Sequence, residues 1–142
     1  MTPTDRAARV RMVLFDVDGV LTDGTTLVDG EGRESLRFDI RDGLGIVCAG
    51  RAGLATGVVS ARNTAAAGSR AAALAMTHVR LGVDDKLATV EALAALEGVT
   101  MEEVAFVGDD LVDLPVLARV GFAAAPADAA PEVRARAHLV CG

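Results

Sequence analysis

The sequence has 142 residues, 51% of them hydrophobic and 24% charged, so it can bury one core and is not intrinsically disordered. Its net charge of −6 disfavours nucleic acid and anionic membranes as partners. Two distant cysteines exclude a disulfide framework, and no apolar run approaches the ~20 residues of a membrane span. The first residues lack the apolar segment of a signal peptide, so we expect a cytoplasmic protein with a single domain, 1–142.

Apolar runs, turn residues and helix caps predict alternating strands and helices along the chain. In chain order we expect a loose segment (1–9), a strand (10–15), a β-hairpin (21–28 and 34–38), a helix (41–52), a strand (54–60), a helix (63–74), a strand (77–80), a helix (86–96), a strand (104–108), a helix (111–120), a strand (121–125), a helix (131–137) and a strand (138–140). Asp39 is the expected N-cap of the helix 41–52, and Gly53 and Gly98 are expected to follow helix ends. This alternation is typical of a parallel sheet covered by helices on both faces.

Residues suited to chemistry follow the carboxyl ends of the predicted strands: Asp16, Asp18, Ser60, Lys86, Asp109 and Asp110. Parallel sheets bind ligands at this edge, so we expect these side chains to lie close together although they are far apart in sequence. Four clustered carboxylates repel one another unless protons or a cation occupy the cluster, and oxygen ligands of this kind suit Mg²⁺.

Lys86 and Ser60 add an ammonium group and a hydroxyl beside this predicted magnesium site. Together these groups can donate hydrogen bonds to the oxygens of a bound phosphate. The backbone amide of Ala61 is expected to donate as well, since we expect it at the start of the next helix. A carboxylate held beside Mg²⁺ and phosphate is an activated nucleophile, and a second carboxyl group serves as acid and then as base. The pattern therefore indicates phosphoryl transfer.

Four segments resemble, in order, the four motifs of the haloacid dehalogenase-like phosphatases: residues 16–24 (DVDGVLTDG), 60–63 (SARN), Lys86 and 108–115 (GDDLVDLP). A fifth segment, 38–46 (FDIRDGLGI), is similar to the FNxRDGxGI segment of the capless subfamily of 3-deoxy-D-manno-octulosonate 8-phosphate phosphatases. The resemblance extends from about residue 13 to residue 140. It implies a Rossmann-like three-layer α/β fold with a β-hairpin flap after the first strand and no large cap domain.

The resemblance also implies a role for each motif residue. It makes Asp16 the nucleophile and Asp18 the general acid/base. It implies that Mg²⁺ is held by the Asp16 side chain, the Asp18 main-chain carbonyl and the Asp109 side chain. Ser60 and Lys86 would bind the transferring phosphoryl group.

The other charged residues of the motifs receive supporting roles. Arg41 and Arg62 match positions that meet the carboxylate or hydroxyl groups of the substrate, whereas Asp110 and Asp113 match supporting acidic residues. The implied substrate is a phosphorylated sugar acid, either 3-deoxy-octulosonate 8-phosphate or a nonulosonate 9-phosphate, with a role in lipopolysaccharide biosynthesis. The implied assembly is a homotetramer packed through the hairpin, in which a neighbouring subunit partly covers each site.

Three alternatives remain open at the level of sequence: a phosphatase of another small sugar phosphate, a receiver-like module that is phosphorylated on aspartate, and an inactive binding module. The late position of the acidic pair and the presence of Asp18 argue against a receiver. The resembling phosphatases continue past the last strand with a Gly-rich tail, whereas this sequence ends at Gly142, so we expect either a different closure of the site or a looser specificity. His78 and His138 are expected to be structural.

Overall fold

The fold is a six-stranded parallel sheet with helices on both faces, and the computed structural model describes all of residues 1–142. The sheet contains β1 (Met12–Phe15), β4 (Ala55–Val59), β5 (His78–Arg80), β6 (Val104–Val107), β7 (Phe122–Pro126) and β8 (Leu139–Cys141). A separate antiparallel hairpin contains β2 (Leu27–Val28) and β3 (Glu34–Ser35). The helices are α1 (Pro3–Ala7), α2 (Ile40–Arg51), α3 (Ala65–Ala73), α4 (Lys86–Glu97), α5 (Leu114–Leu117) and α6 (Pro131–Arg136). The expected three-layer fold without a large cap is confirmed.

The order of the strands is β5-β4-β1-β6-β7-β8, which places β1 at the centre of the sheet. Phe15 at the end of β1 lies opposite Val58 of β4 and Val107 of β6. The loops that follow these three strands therefore start side by side at one edge of the sheet. They carry the first, second and fourth of the predicted motifs.

Two apolar clusters bury the two faces of the sheet, as expected when helices cover both sides. The larger cluster joins β1, β4, β6 and β7 to α4, α5 and α6, and includes Met12, Leu14, Val90, Phe106, Leu117 and Val133. The smaller cluster lies under α2 and α3, and includes Val17, Ile46, Val58, Ala67 and Ala71. Val58 and Val59 belong to different clusters because successive side chains of a strand point to opposite faces.

Local capping signals in the sequence predicted several helix ends correctly. Asp39 caps α2 by accepting a hydrogen bond from the Arg41 amide at 2.7 Å, and Gly53 follows the helix with a φ of +97°. Gly98 ends α4 in the left-handed conformation, with a φ of +68°. These features depend on residues close in sequence, which is why the pattern was sufficient to predict them.

Two predicted elements were wrong, and others have different bounds from those expected. The segment expected to be loose forms α1, whose N-cap Thr2 and Asp5 make a capping box. The expected helix 111–120 is a 3₁₀ turn (Leu111–Asp113) followed by the short α5, because Pro115 has no N–H with which to continue a hydrogen-bond ladder. The helix expected from residue 63 starts at Ala65, so it begins four residues after Ala61. Strands of the hairpin are also shorter than the segments 21–28 and 34–38.

None of the helices has both the length and the apolar character needed to cross a bilayer.

Replacing Phe106 by alanine tests the packing that supports the fourth motif. Phe106 is fully buried in β6, three residues before Asp109, so Phe106→Ala should lower the free energy of unfolding by about 3–5 kcal/mol in urea denaturation. The matched control is Leu96→Ala, because Leu96 is 69% exposed and its truncation should change stability by less than about 0.5 kcal/mol. Equal effects of the two changes would contradict the core described above.

Candidate active site

A cavity of about 280 Å³ lies at the carboxyl edge of the sheet, where the motif loops meet. It is lined by Asp16, Asp18, Gly24, Ser60, Ala61, Arg62, Lys86, Asp109, Asp110 and Val112. Larger cavities exist elsewhere, but this one gathers residues from all four motifs. Except for Arg41 and Asp113, every charged or polar residue that the sequence singled out for chemistry lines it.

The Lys86 ammonium group lies between two buried carboxylates. Lys86 is the first residue of α4, and its Nζ is 3.1 Å from Asp16 Oδ1 and 2.7 Å from Asp113 Oδ1. All three side chains are less than a tenth exposed. Burial opposes the charged form of Lys86, but the two carboxylates outweigh burial and raise its pKa. Lys86 is therefore a fixed positive charge at neutral pH.

Asp113 is a site residue that sequence reasoning placed only among the supporting acids. Its side chain is fully buried, and its Oδ2 accepts hydrogen bonds from the amides of Asp109 at 3.0 Å and Asp110 at 3.3 Å. A Cβ on Gly108 would lie 2.6 Å from the Cβ of Asp113, so this close approach requires glycine. Asp113 thus holds both Lys86 and the loop that follows β6. The sequence signal that could have identified Asp113 as a buried site residue is its position as the one acidic residue in the apolar segment 111–114.

The carboxylates of Asp16, Asp109 and Asp113 form a cluster that fits a divalent cation. Their oxygens lie within 4.8 Å of one another, and Lys86 supplies one positive charge against three carboxylates. Asp109 Oδ1 is buried and has no hydrogen-bond partner, which is costly unless a cation or proton satisfies it. Donor groups that are all oxygen suit Mg²⁺. The residues present therefore fit the expected magnesium ion.

The loops of the first and fourth motifs are in direct contact beside this cluster. Gly19 has a φ of +81°, and any Cβ at this position would collide with the Asp109 carboxylate. Of the expected metal ligands, Asp16 and Asp109 are therefore brought together. Asp18 is the expected third ligand through its main-chain carbonyl, and its side chain pairs elsewhere: its Oδ2 accepts a hydrogen bond from Arg62 Nε at 3.0 Å.

The second motif contributes a buried hydroxyl and a bridging guanidinium. Ser60 is 2% exposed, and its Oγ accepts a hydrogen bond from the Arg62 amide at 3.2 Å. Besides Asp18, Arg62 contacts Glu34 of the hairpin, with Nη1 3.1 Å from Oε1. Ala61 lines the cavity but does not open a helix as expected, because α3 starts later, at Ala65 with Thr64 as its N-cap.

Arg41 lies outside this cavity, unlike Arg62. Its side chain is 91% exposed and pairs with Asp39, the N-cap of its own helix, at 3.1 Å. It borders a separate cavity of about 460 Å³ together with Cys141 and other residues. Within one chain, the fold does not bring Arg41 to the carboxylate cluster.

Both histidines have structural contacts, as the sequence indicated. His78 is buried in β5, and its Nε2 lies 2.6 Å from Glu97 Oε1. His138 Nδ1 accepts a hydrogen bond from the Ala123 amide at 2.9 Å. Neither residue lines the cavity of the four motifs.

Magnesium binding should depend on pH because Asp109 titrates near neutrality. Burial and the neighbouring carboxylates of Asp16, Asp113 and Asp110 raise the pKa of Asp109 to about 7 in the metal-free protein. Below pH 7 the metal must displace a proton, so we expect its affinity to fall as pH decreases and proton release to accompany binding. Isothermal titration calorimetry in two buffers of different ionisation enthalpy measures this release. Asp109→Asn should abolish it; equal proton release by this variant would contradict the assignment.

Comparison with known sequences shows which proteins this chain is similar to. Residues 76–142 match the haloacid dehalogenase-like hydrolases. The 3-deoxy-D-manno-octulosonate 8-phosphate phosphatase of Yersinia pestis is 39% identical over 135 residues, which are 95% of this chain and 72% of the relative. The corresponding enzyme of Escherichia coli strain K12 is 38% identical over the same shares.

Solved structures show the same fold. The Yersinia pestis phosphatase superposes with a TM-score of 0.93, covering 96% of this chain and 74% of that one, at 39% identity. The phosphatase of Moraxella catarrhalis, solved with magnesium, phosphate and KDO, has a TM-score of 0.95 at 29% identity and covers 98% of this chain and 80% of that one. With such identity over nearly its whole length, the chain belongs to the 3-deoxy-D-manno-octulosonate 8-phosphate phosphatase family of haloacid dehalogenase-like hydrolases, and it is a phosphatase whose carboxylate cluster fits a magnesium ion.

Proposed function

We propose that this phosphatase hydrolyses a phosphorylated sugar acid of the 3-deoxy-octulosonate 8-phosphate type, through a phosphoaspartate on Asp16, and that residues 1–142 act as one catalytic domain. The observation that carries the proposal is the contact of buried Asp16 with Lys86, beside the unpartnered oxygen of Asp109. The names of the related phosphatases support this substrate class. A nonulosonate 9-phosphate has the same chemistry and is the second candidate.

In the first step, a carboxylate oxygen of Asp16 attacks the phosphorus atom. The bond between phosphorus and the sugar oxygen breaks, and its electron pair remains on that oxygen. The Asp18 carboxyl group donates a proton to the oxygen, which leaves as an alcohol. Since Asp18 lies two residues after Asp16, and both line the cavity, the two carboxyl groups can act on one phosphate ester.

In the second step, water attacks the phosphorus atom of the phosphoaspartate. Asp18, now a carboxylate, accepts a proton from the water, and the bond between phosphorus and the Asp16 oxygen breaks. Inorganic phosphate is released and Asp16 regains its carboxylate. One residue thus serves as acid in the first step and base in the second.

The remaining residues bind and orient the phosphoryl group. The Lys86 ammonium and the Ser60 hydroxyl are the proposed donors to its oxygens, since both lie buried at the cavity wall. Asp16, Asp109 and the main-chain carbonyl of Asp18 are the proposed magnesium ligands. When bound, magnesium would neutralise part of the negative charge on the phosphoryl group that is transferred. Arg62, at the rim, has further N–H groups for the carboxylate or hydroxyl groups of the sugar acid.

A panel of phosphate esters tests both the substrate class and the nucleophile. We expect magnesium-dependent phosphate release to be fastest with 3-deoxy-D-manno-octulosonate 8-phosphate or a nonulosonate 9-phosphate, and slower with phosphates of neutral sugars. Asp16→Asn should abolish release from every ester because an amide cannot form the phosphoenzyme. Faster turnover of a neutral sugar phosphate would contradict the substrate class, and an active Asp16→Asn variant would contradict the mechanism.

We also propose that the chain assembles as a homotetramer through the hairpin. Large apolar side chains are exposed on β2, with Leu27 at 76% and Val28 at 61%, and at the start of α2, with Ile40 at 84% and Leu44 at 65%. Large apolar side chains that are exposed on neighbouring elements of one segment favour an interaction surface there. In such an assembly, Arg41 would be placed near the interface, where it could reach the site of a neighbouring subunit.

Light scattering tests this assembly. The wild-type protein should have about four times the mass of one chain, and Leu27→Glu should dissociate it because a charge at the interface would be buried unpaired. Leu96→Glu is the matched control, since Leu96 is similarly exposed but lies on α4, away from the hairpin. A monomeric wild-type protein would contradict the proposal, as would dissociation by both substitutions.

A further inference from the structure

We propose that Glu34 of the hairpin is a positioning residue, which orients the proposed acid/base Asp18 through Arg62. This inference rests on the proposed function, because it takes Asp18 to be the proton donor to the leaving oxygen. Glu34 belongs to none of the four motifs and does not line the cavity. It acts through an intermediate side chain and has no contact with the phosphate ester.

The guanidinium of Arg62 bridges the two carboxylates through different nitrogen atoms. Nε donates to Asp18 Oδ2 at 3.0 Å, while Nη1 donates to Glu34 Oε1 at 3.1 Å. Because these are separate N–H groups, both hydrogen bonds exist at the same time. The guanidinium is planar and rigid, so fixing one of its nitrogens restricts the direction in which the other donates.

Further hydrogen bonds hold the Arg62 backbone and the Glu34 carboxylate in place. The Arg62 amide donates to Ser60 Oγ at 3.2 Å, and its carbonyl accepts from the Gly82 amide at 3.3 Å. On the hairpin, Glu34 Oε1 also accepts a hydrogen bond from Thr26 Oγ1 at 3.3 Å. The hydrogen bond from Thr26 therefore restricts the Glu34 carboxylate in the orientation that contacts Arg62.

Asp18 depends on this bridge for its orientation. Its carboxylate accepts no hydrogen bond other than the one from Arg62, and its side chain is 31% exposed. The Arg62 side chain is itself 42% exposed, so without Glu34 it gains rotamer freedom. Asp18 would then spend less time in the orientation that protonates the leaving oxygen. Since exposed ion pairs are individually weak, the expected loss of rate is moderate, about tenfold.

The dependence on the leaving group distinguishes positioning of the acid from a general structural effect. An alkoxide leaving from a sugar phosphate needs a proton, whereas p-nitrophenolate leaves without one. The kcat/KM value includes the steps up to release of the alcohol. Glu34→Gln should therefore lower kcat/KM about tenfold for 3-deoxy-D-manno-octulosonate 8-phosphate and less than about twofold for p-nitrophenyl phosphate.

Two further variants provide the control and the test of the pathway. Glu31→Gln makes the same chemical change on the same hairpin, but Glu31 is 73% exposed and pairs only with Arg33, so both kcat/KM values should remain at the wild-type level. In an Arg62→Gln background, Glu34→Gln should cause no additional loss, because its effect is transmitted through Arg62. Thermal unfolding of each variant verifies that the fold is intact.

The outcomes separate failure of this inference from failure of the proposed function. Asp18→Asn should lower kcat/KM far more for the sugar phosphate than for p-nitrophenyl phosphate; equal losses would overturn the acid role of Asp18, and the role of Glu34 with it. If Asp18→Asn shows the difference and Glu34→Gln lowers both values equally or neither, the inference about Glu34 alone is overturned. An additional loss in the Arg62→Gln background would also overturn it.

Discussion

The contact between the Lys86 ammonium and the carboxylates of Asp16 and Asp113 is the interaction on which the site depends. Burying one of these charges alone would cost several kcal/mol, so each requires the others. Asp113 in turn holds the amides of Asp109 and Asp110, which links Lys86 to the loop after β6. Lys86 therefore connects the loop after β1 with the loop after β6. Its single positive charge does not balance the three carboxylates of Asp16, Asp109 and Asp113. The excess of negative charge is what a magnesium ion balances.

The position of β1 at the centre of the sheet explains why three distant segments form one site. Its neighbours β4 and β6 end at the same level, so their loops surround the loop that carries Asp16 and Asp18. The hairpin extends from this central loop and reaches back to it through Glu34 and Arg62. If the hairpin is also the assembly surface, then subunit packing and the orientation of Asp18 share one structural element, and assembly would influence catalysis.

Much of the fold was predictable because its signals are local. The alternation of apolar strands and helices, the N-cap Asp39 and the left-handed Gly98 each depend on residues within a few positions of one another. Two of the errors occurred where competing local signals were present: the helix expected from residue 111 is divided into a 3₁₀ turn and the short α5, which contains Pro115, and Thr64, not an earlier residue, capped α3. Ala61 is not at a helix start because Thr64 is the N-cap of α3.

The sequence by itself determined the order of the motifs, the parallel sheet and the edge at which Asp16, Lys86 and Asp109 would meet, because strand direction places loop residues without reference to side-chain conformation. Only the tertiary structure decided which side chains pair. It directed Asp113 inward to Lys86, turned Asp18 to Arg62, and left Arg41 on Asp39 at the surface. These choices depend on side-chain directions and on distances between residues far apart in the chain. The partnership of Glu34 with Arg62, 28 residues away, is of this kind and has no signal in sequence spacing.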